Sequence, residues 1–164
     1  MSDPIISSDI GVKVGEFDEA AASRPQHPDR HVRIGFIGTG WWATTNHIPM
    51  LNARKDVVLA SACGLDEQVL HRVQDDFGFG HITADYHELL RQDLDGVIVA
   101  SPHPLHAEHA IAALEAGCHV MVEKPMATTI EQASALIQKT EQPAALLPFP
   151  MAGITARCAS KPNA

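Results

Sequence analysis

A glycine-containing segment, IGFIGTGWWATTNH at residues 34–47, constrains the fold more than any other feature of this chain. Gly38, Gly40 and Ala43 form the pattern G-x-G-x-x-A directly after a short apolar run and at the start of a helical stretch. In this context the pattern is the dinucleotide-binding fingerprint, in which backbone N–H groups at a helix N-terminus hold a pyrophosphate. Gly38 would make the tight turn, Gly40 would let the phosphate approach, and Ala43 would let the helix pack on the strand. A strand–helix turn without a ligand is the alternative interpretation.

Trp41 and Trp42 occupy the two variable positions between Gly40 and Ala43, inside a loop that needs room for a ligand. Only three positions of the pattern must be small, because the others can offer their N–H groups while their side chains point elsewhere. We expect one tryptophan to pack against the cofactor or the neighbouring loop, and the other to cover the edge of the sheet. Thr39, Trp41 and Trp42 are therefore candidate cofactor-binding residues together with the two glycines.

Short apolar runs alternate with helical patterns along the chain. Buried strands are predicted for VRIGFIG, VVLASAC, DGVIVAS and CHVMVEKP, at residues 32–38, 57–63, 95–101 and 118–125. Helices are predicted between them and at the end, through residue 53 and at residues 66–78, 86–92, 104–117 and 128–140. Thr128, with Glu131 three residues later, has the spacing of a capping box. This alternation implies a doubly wound parallel α/β sheet, the Rossmann dinucleotide-binding fold.

Length and composition exclude several classes of function. The chain has 164 residues, enough for one domain of ordinary size, and its net charge of -8 argues against a nucleic-acid partner. No apolar stretch approaches the ~20 residues of a membrane span, and no secretory signal is recognisable. Cys63, Cys118 and Cys158 are far apart and form no CxxC pair, so we expect free thiols in a reducing cytoplasm.

Two further motifs follow predicted strands at the sheet edge where ligands bind in folds of this kind. Glu123 and Lys124, in the tripeptide EKP, end one strand, and Ser101 and Pro102 leave the strand before it. A lysine beside a cofactor can donate a hydrogen bond or a proton to a reacting oxygen. For an isolated Glu–Lys pair, a surface lysine beside a solvated glutamate is the alternative.

Three histidines, His103, His106 and His109, are spaced by three residues after the same strand. No carboxylate or cysteine completes a ligand set, and this spacing drifts around a helix. The sequence therefore predicts no metal site.

The acidic residue that binds the ribose hydroxyls in many Rossmann folds should end the second strand, near Cys63 and Gly64. Neither residue is acidic. Asp66 is close, but it is expected to cap the next helix. No arginine is present there for a 2′-phosphate, so these residues do not distinguish NAD from NADP as the cofactor.

Together these motifs resemble the N-terminal domain of the glucose-fructose oxidoreductase / inositol dehydrogenase family (Gfo/Idh/MocA). The matching segments are IGFIGTGWWATTNHIPML, DLDGVIVASPHPLHAEHAIAALEAGCHVMVEKPMATT and the helix after them. The tripeptide EKP following AGCHVMV at this distance from the glycine loop is a specific combination. The resemblance implies an NAD(P)-dependent oxidoreductase that transfers hydride between a nicotinamide cofactor and a sugar, polyol or related hydroxyl compound.

The resemblance also implies roles for individual residues. Lys124 would be the active-site lysine, and Glu123 would lie at the nicotinamide. His47, in the NHIP segment, matches a position common in the family. Three further residues would belong to the cofactor groove: Ser101, Pro102 and His106.

Three regions are expected along the chain: a flexible extension at residues 1–30, the Rossmann domain at 31–142, and an irregular tail at 143–164. The family has a second α/β domain that binds substrate, and the proline-rich tail reads like a truncated or out-of-frame ending in its place. Catalysis by this chain alone is therefore not expected. A non-catalytic nucleotide-binding fragment and a module that depends on a partner are the alternative functions. The uncovered sheet edge favours self-association, so a homo-oligomer is a further candidate assembly.

Overall fold

The computed structural model describes residues 31–140, which form a five-stranded parallel sheet with helices on both faces. The strand order is β3-β2-β1-β4-β5, and every neighbouring pair is parallel. The strands are β1 (Val32–Ile37), β2 (Val57–Cys63), β3 (His81–Thr83), β4 (Gly96–Val99) and β5 (His119–Val122). This order confirms the predicted doubly wound Rossmann arrangement. The expectations for residues 1–30 and 143–164, and for the domain end at 142, lie outside the described residues.

Five α-helices and two short helical turns connect the strands of this region. The helices are α1 (Ile48–Asn52), α2 (Glu67–Phe77), α3 (Tyr86–Leu90), α4 (His106–Glu115) and α5 (Ile130–Thr140). A π-helical turn, Ala43–His47, precedes α1, and a 3₁₀ turn, His103–Leu105, precedes α4. None of the helices in residues 31–140 is long and apolar enough to cross a membrane.

The π-helical turn replaces the first part of the regular helix that the sequence predicts. Pro49 follows closely and has no N–H, and in a regular α-helix its ring would clash with the carbonyl group of Thr45. The wider turn accommodates this carbonyl group, and the N–H of Ile48 donates to the carbonyl oxygen of Ala43. The helical stretch still ends at Ala53, as expected.

Alternating side chains of the sheet build one apolar core on each face. On one face α1 and α2 cover a core in which Phe36 and Phe79 meet edge to face, with ring centroids 5.9 Å apart. On the other face α3, α4 and α5 cover a core that includes Ile37 and Leu136. Neighbouring residues of β1 thus point into opposite cores, which explains why its sequence is apolar at successive positions.

The helix ends agree with the sequence patterns except at α5. Gly78 ends α2 with φ +74°, and Gly117, which follows α4, also has positive φ, as a glycine after a helix commonly does. At α5 the cap is Thr129, whose Oγ1 accepts from the N–H of Gln132 at 3.2 Å. The predicted cap at Thr128 is therefore wrong by one residue. Adjacent threonines are each followed by Glu or Gln three positions later, so the pattern fits both registers.

Candidate functional site

The first glycine of the loop is required by its conformation and by its surroundings. Gly38 has φ +106°, which side chains rarely adopt, and its N–H donates to the carbonyl oxygen of Cys63 at 2.8 Å. A Cβ at Gly38 would lie 2.4 Å from the carbonyl carbon and oxygen of Ala100. The turn after β1 therefore passes tightly between the ends of β2 and β4.

A contact between Thr39 and Gly64 holds the loop against the end of β2. Thr39 is buried, and a Cβ at Gly64 would lie 2.3 Å from its Oγ1. An acidic ribose ligand would be expected in the region that Gly64 occupies. Packing explains why residue 64 is a glycine, because any side chain at this position would displace Thr39.

The second loop glycine borders open space. A Cβ at Gly40 would meet no atom of the described residues within 4 Å, so the space above the loop can admit a ligand. The carbonyl oxygen of Gly40 accepts from the N–H of Thr44 at 3.1 Å, which begins the first helical turn. N–H groups at the start of a helix have no intrahelical acceptor and can hold a phosphate.

This space belongs to a groove of about 550 Å³ at the carboxyl ends of β1, β2 and β4. Its volume lies within the roughly 300–1,000 Å³ typical of small-molecule sites. The groove combines the open position at Gly40 with a helix N-terminus, so the residues present fit the pyrophosphate of a dinucleotide. Five of the predicted cofactor-binding residues line it: Gly38, Thr39, Gly40, Ser101 and Pro102.

Asp66 caps a helix, as predicted, and also lines the groove. Its side chain accepts from the N–H of Val69 at 3.1 Å, which confirms that it caps α2. Asp66 also lines the groove. The sequence favours capping over ribose binding for Asp66, whereas the geometry places this residue where both can occur.

Tyr86 and His109 line the groove and were not predicted as site residues. His109 Nδ1 lies 2.9 Å from Ser101 Oγ, and the rings of His109 and Tyr86 are 4.4 Å apart. Burial lowers the pKa of His109, which favours the neutral form of its ring. The spacing of the histidines had drawn attention to His109, but no pattern indicated Tyr86.

His106 supports the groove and does not line it, which differs from the expectation. The side chain is fully buried. Its Nδ1 lies 2.8 Å from the carbonyl oxygen of Pro125, and its Nε2 lies 2.6 Å from that of Ser101. His106 therefore ties the loop after β4 to the EKP segment after β5. Within residues 31–140 no three His, Cys, Asp or Glu side chains come together as a metal site.

The carboxylate of Glu123 joins the EKP segment to the glycine loop. Its Oε1 accepts from Trp42 Nε1 at 2.9 Å and also pairs with His47 Nε2, while its Oε2 accepts from the N–H of Lys124 at 3.1 Å. Burial acts to raise the pKa of Glu123, but these hydrogen bonds outweigh it and the pKa is lowered. Glu123 is thus held as a carboxylate beside Lys124, whose side chain is exposed.

The two tryptophans of the loop differ in their surroundings. Trp42 contacts the neighbouring EKP segment through Glu123, as expected for one of the pair. Trp41 is 72% exposed and its ring lies 5.8 Å from that of Trp42, so it extends into solvent and the expected cover of the sheet edge is wrong. Trp41, Trp42, Glu123 and Lys124 lie outside the lining of the groove and form a second cluster that continues from Gly40.

Comparison with known proteins gives the same fold and cofactor class. Residues 32–147 match the model of the Gfo/Idh/MocA family, described as an oxidoreductase family with an NAD-binding Rossmann fold. The chain is 38% identical over 103 residues to D-glucoside 3-dehydrogenase of Escherichia coli K12, covering 62% of this chain and 29% of that protein. The chain therefore spans under a third of that relative's length.

Solved structures with similar folds contain either nicotinamide cofactor. Scyllo-inositol dehydrogenase from Lactobacillus casei, with bound NAD(H) and scyllo-inositol, matches with a TM-score of 0.66 at 25% identity, covering 69% of this chain and 34% of that chain. A 3-ketoreductase from Actinomadura kijaniata, in complex with NADP, matches with a TM-score of 0.66 at 32% identity. The match covers 72% of this chain and 38% of that chain.

Proposed function

Because the chain belongs to the Gfo/Idh/MocA family, we propose that it is the NAD(P)-binding domain of an oxidoreductase acting on a sugar, a polyol or a related hydroxyl compound. One observation carries this proposal. The carboxylate of Glu123 joins the EKP segment to Trp42 of the glycine loop, so Lys124 stands beside the residues that would bind the dinucleotide. The proposed phosphate cradle and the proposed proton donor would thus be held together by the contacts of Glu123.

The proposed roles follow the geometry of the groove and of the neighbouring cluster that contains Glu123 and Lys124. The glycine loop would bind the pyrophosphate through backbone N–H groups, and Ser101 and Pro102 would line the same groove. Lys124 would hold or deliver the proton of the substrate hydroxyl group, with Glu123, Trp42 and His47 fixing the segment that carries it. A bound nicotinamide supplies the hydride chemistry.

The substrate class is proposed from the relatives, which include enzymes named for D-glucosides and for scyllo-inositol. The chain spans under a third of the first of these, and Lys124 is exposed. Substrate orientation, worth up to ~7–11 kcal/mol of an enzymatic barrier, needs walls that residues 31–140 do not provide there. We therefore propose that this chain alone binds cofactor without turnover.

The proposal also covers the cellular location of the chain and the assembly of its copies. Cys63 is a buried free thiol, which suits a reducing compartment, and we propose a cytoplasmic location. β5 is the last strand of the sheet within the described residues, and we propose that copies of the chain assemble, because edge strands favour association.

The test is binding and turnover measured on the same preparation of the full chain. Calorimetry with NADH should give saturable binding, while absorbance of the reduced nicotinamide with a panel of sugars and inositols should show no steady turnover. Turnover that is lost in Lys124→Ala but kept in Lys139→Ala would show that the chain builds a complete active site. Lys139 is a suitable control because it pairs with Glu115 on the surface, at 2.8 Å. Absence of NADH binding would overturn the proposal.

A further inference from the structure

We propose that Trp41 is a stacking platform for the substrate and that it favours closed-ring sugars and cyclitols over open-chain polyols. The inference rests on the proposed oxidoreductase function and narrows its substrate class. Trp41 is 72% exposed and the adjacent Trp42 is 46% exposed, so two of the largest apolar side chains share one open surface. An apolar surface of this kind beside a candidate site is typical of a ligand-binding position.

The fold holds this aromatic surface in place. The ring of Trp41 lies 5.8 Å from that of Trp42, at an interplanar angle of 57°. The indole N–H of Trp42 donates to Glu123 Oε1 at 2.9 Å, which fixes the second ring. The carbonyl oxygen of Trp41 accepts from the hydroxyl group of Thr44 at 3.1 Å, which fixes the backbone of the first. A ligand that stacks on Trp41 therefore has less freedom to remove than on an isolated exposed tryptophan.

The surface adjoins the lysine that is proposed to handle the proton of the substrate. Glu123 accepts from Trp42 through Oε1 and from the N–H of Lys124 through Oε2. Lys124 is exposed, as Trp41 is. Trp41 lies outside the lining of the groove, so its ring would remain open beside a dinucleotide bound there. An aromatic face and an exposed amine thus belong to one cluster at the side of the proposed cofactor site.

An aromatic face beside an amine suits a particular ligand chemistry. The C–H groups on one face of a pyranose or cyclitol ring are weakly positive and can lie flat on the negative face of an indole ring. The hydroxyl groups at the edge of that ring stay free for Lys124. An open-chain polyol has no fixed face and loses internal rotation when it presents one. A protein partner fits less well, because two tryptophans offer about 500 Å² at most, against the roughly 800 Å² that each partner buries in a standard interface.

Saturation-transfer NMR of the full chain with NADH bound tests the platform, because the method detects weak binding. Methyl β-D-glucopyranoside is the ring probe and D-glucitol is the open-chain probe. Trp41→Ala removes the platform, and Trp41→Phe keeps a smaller aromatic face. Ile130→Ala is the matched control, because Ile130 is 80% exposed at the start of α5 and lies outside the lining of the groove. Calorimetry sets the NADH concentration that saturates each variant, and circular dichroism checks its fold.

The unchanged chain should bind the ring probe several-fold tighter than D-glucitol. Trp41→Ala should weaken binding of the ring probe about tenfold, the effect of losing roughly 60 Å² of apolar contact, and should bring the two probes close together. Trp41→Phe should keep most of the preference, and Ile130→Ala should keep all of it.

Three results would overturn the inference alone: equal binding of the two probes by the unchanged chain, no binding of either probe beside bound NADH, and an unchanged preference in Trp41→Ala. Equal losses in Trp41→Ala and Ile130→Ala would also overturn it, because they would report a general effect of truncating exposed side chains. Absence of NADH binding by the unchanged chain would overturn the proposed function and this inference with it.

Discussion

Substitution of the two loop glycines should separate a requirement of the fold from a requirement of the ligand. In Gly38→Ala, positive φ costs about 1–2 kcal/mol for a residue with a Cβ. The new Cβ would also lie 2.4 Å from backbone atoms of Ala100, which cannot rotate away as a side chain could. We expect a total loss of at least about 3 kcal/mol, a large part of the roughly 5–15 kcal/mol that stabilises an ordinary domain.

Gly40→Val should affect NADH binding much more than the stability of the fold. A Cβ at Gly40 meets nothing within 4 Å among the described residues, so the free energy of unfolding should fall by at most about 1 kcal/mol, the usual effect of a poorer residue at a helix start. The branched side chain would fill the space proposed for the pyrophosphate. We therefore expect NADH binding to be lost while the fold remains intact.

Urea unfolding followed by circular dichroism measures the first effect, and calorimetry with NADH measures the second. Gly78→Ala is the control for conformation alone, because Gly78 has φ +74° but a Cβ there would meet nothing within 4 Å. The destabilisation of Gly38→Ala beyond that of Gly78→Ala reports the close approach of Ala100. Equal losses in these two variants would refute the packing argument, and normal NADH binding by Gly40→Val would refute the assigned cradle.

Three further predictions follow from the contacts of the site. The folded-state pKa of Glu123 lies below its usual 4.5, so its contribution to stability is present above that pH and is lost as pH falls through the folded value. Glu123→Gln should therefore be less stable than the unchanged chain at pH 7 in urea, and the two should converge in acid. Gly64→Ala should destabilise by about 1–3 kcal/mol, and adding Thr39→Ala should recover part of the loss in a double-mutant cycle, because the Cβ of Thr39 itself would be 3.5 Å away. With a pKa of about 11, about one Cys63 thiol in a thousand is ionised at pH 8, so peptide mapping should find it alkylated by iodoacetamide only after unfolding.

The sheet could be predicted because its signals are local. Apolar runs bounded by glycines and helical patterns mark β1, β2, β4 and β5, and their alternation with helices implies parallel pairing. β3 escaped prediction because it has only three residues and buries only Thr83. A strand this short has no period, and its pairing with β2 is what defines it.

The parts of the site that escaped prediction depend on contacts between distant residues. The hydrogen bond from Trp42 to Glu123 joins residues 81 positions apart, and nothing in either segment indicates the other as its partner. The glycine at position 64 is similarly explained only by the side chain of Thr39, which the fold brings against it. Asp66 was recognised as a cap from its local pattern, while its place in the groove required the neighbouring strands.

The tryptophans of the glycine loop offer the most direct test that the groove beside this loop binds a nicotinamide dinucleotide. The chain has two tryptophans, and both are in this loop, at positions 41 and 42. Titration of the full chain with NADH should quench the tryptophan emission saturably and produce nicotinamide emission on excitation of tryptophan, with the midpoint found by calorimetry. Unchanged tryptophan emission at NADH concentrations that saturate the calorimetric signal would place the cofactor elsewhere, and absence of both signals would contradict the account as a whole.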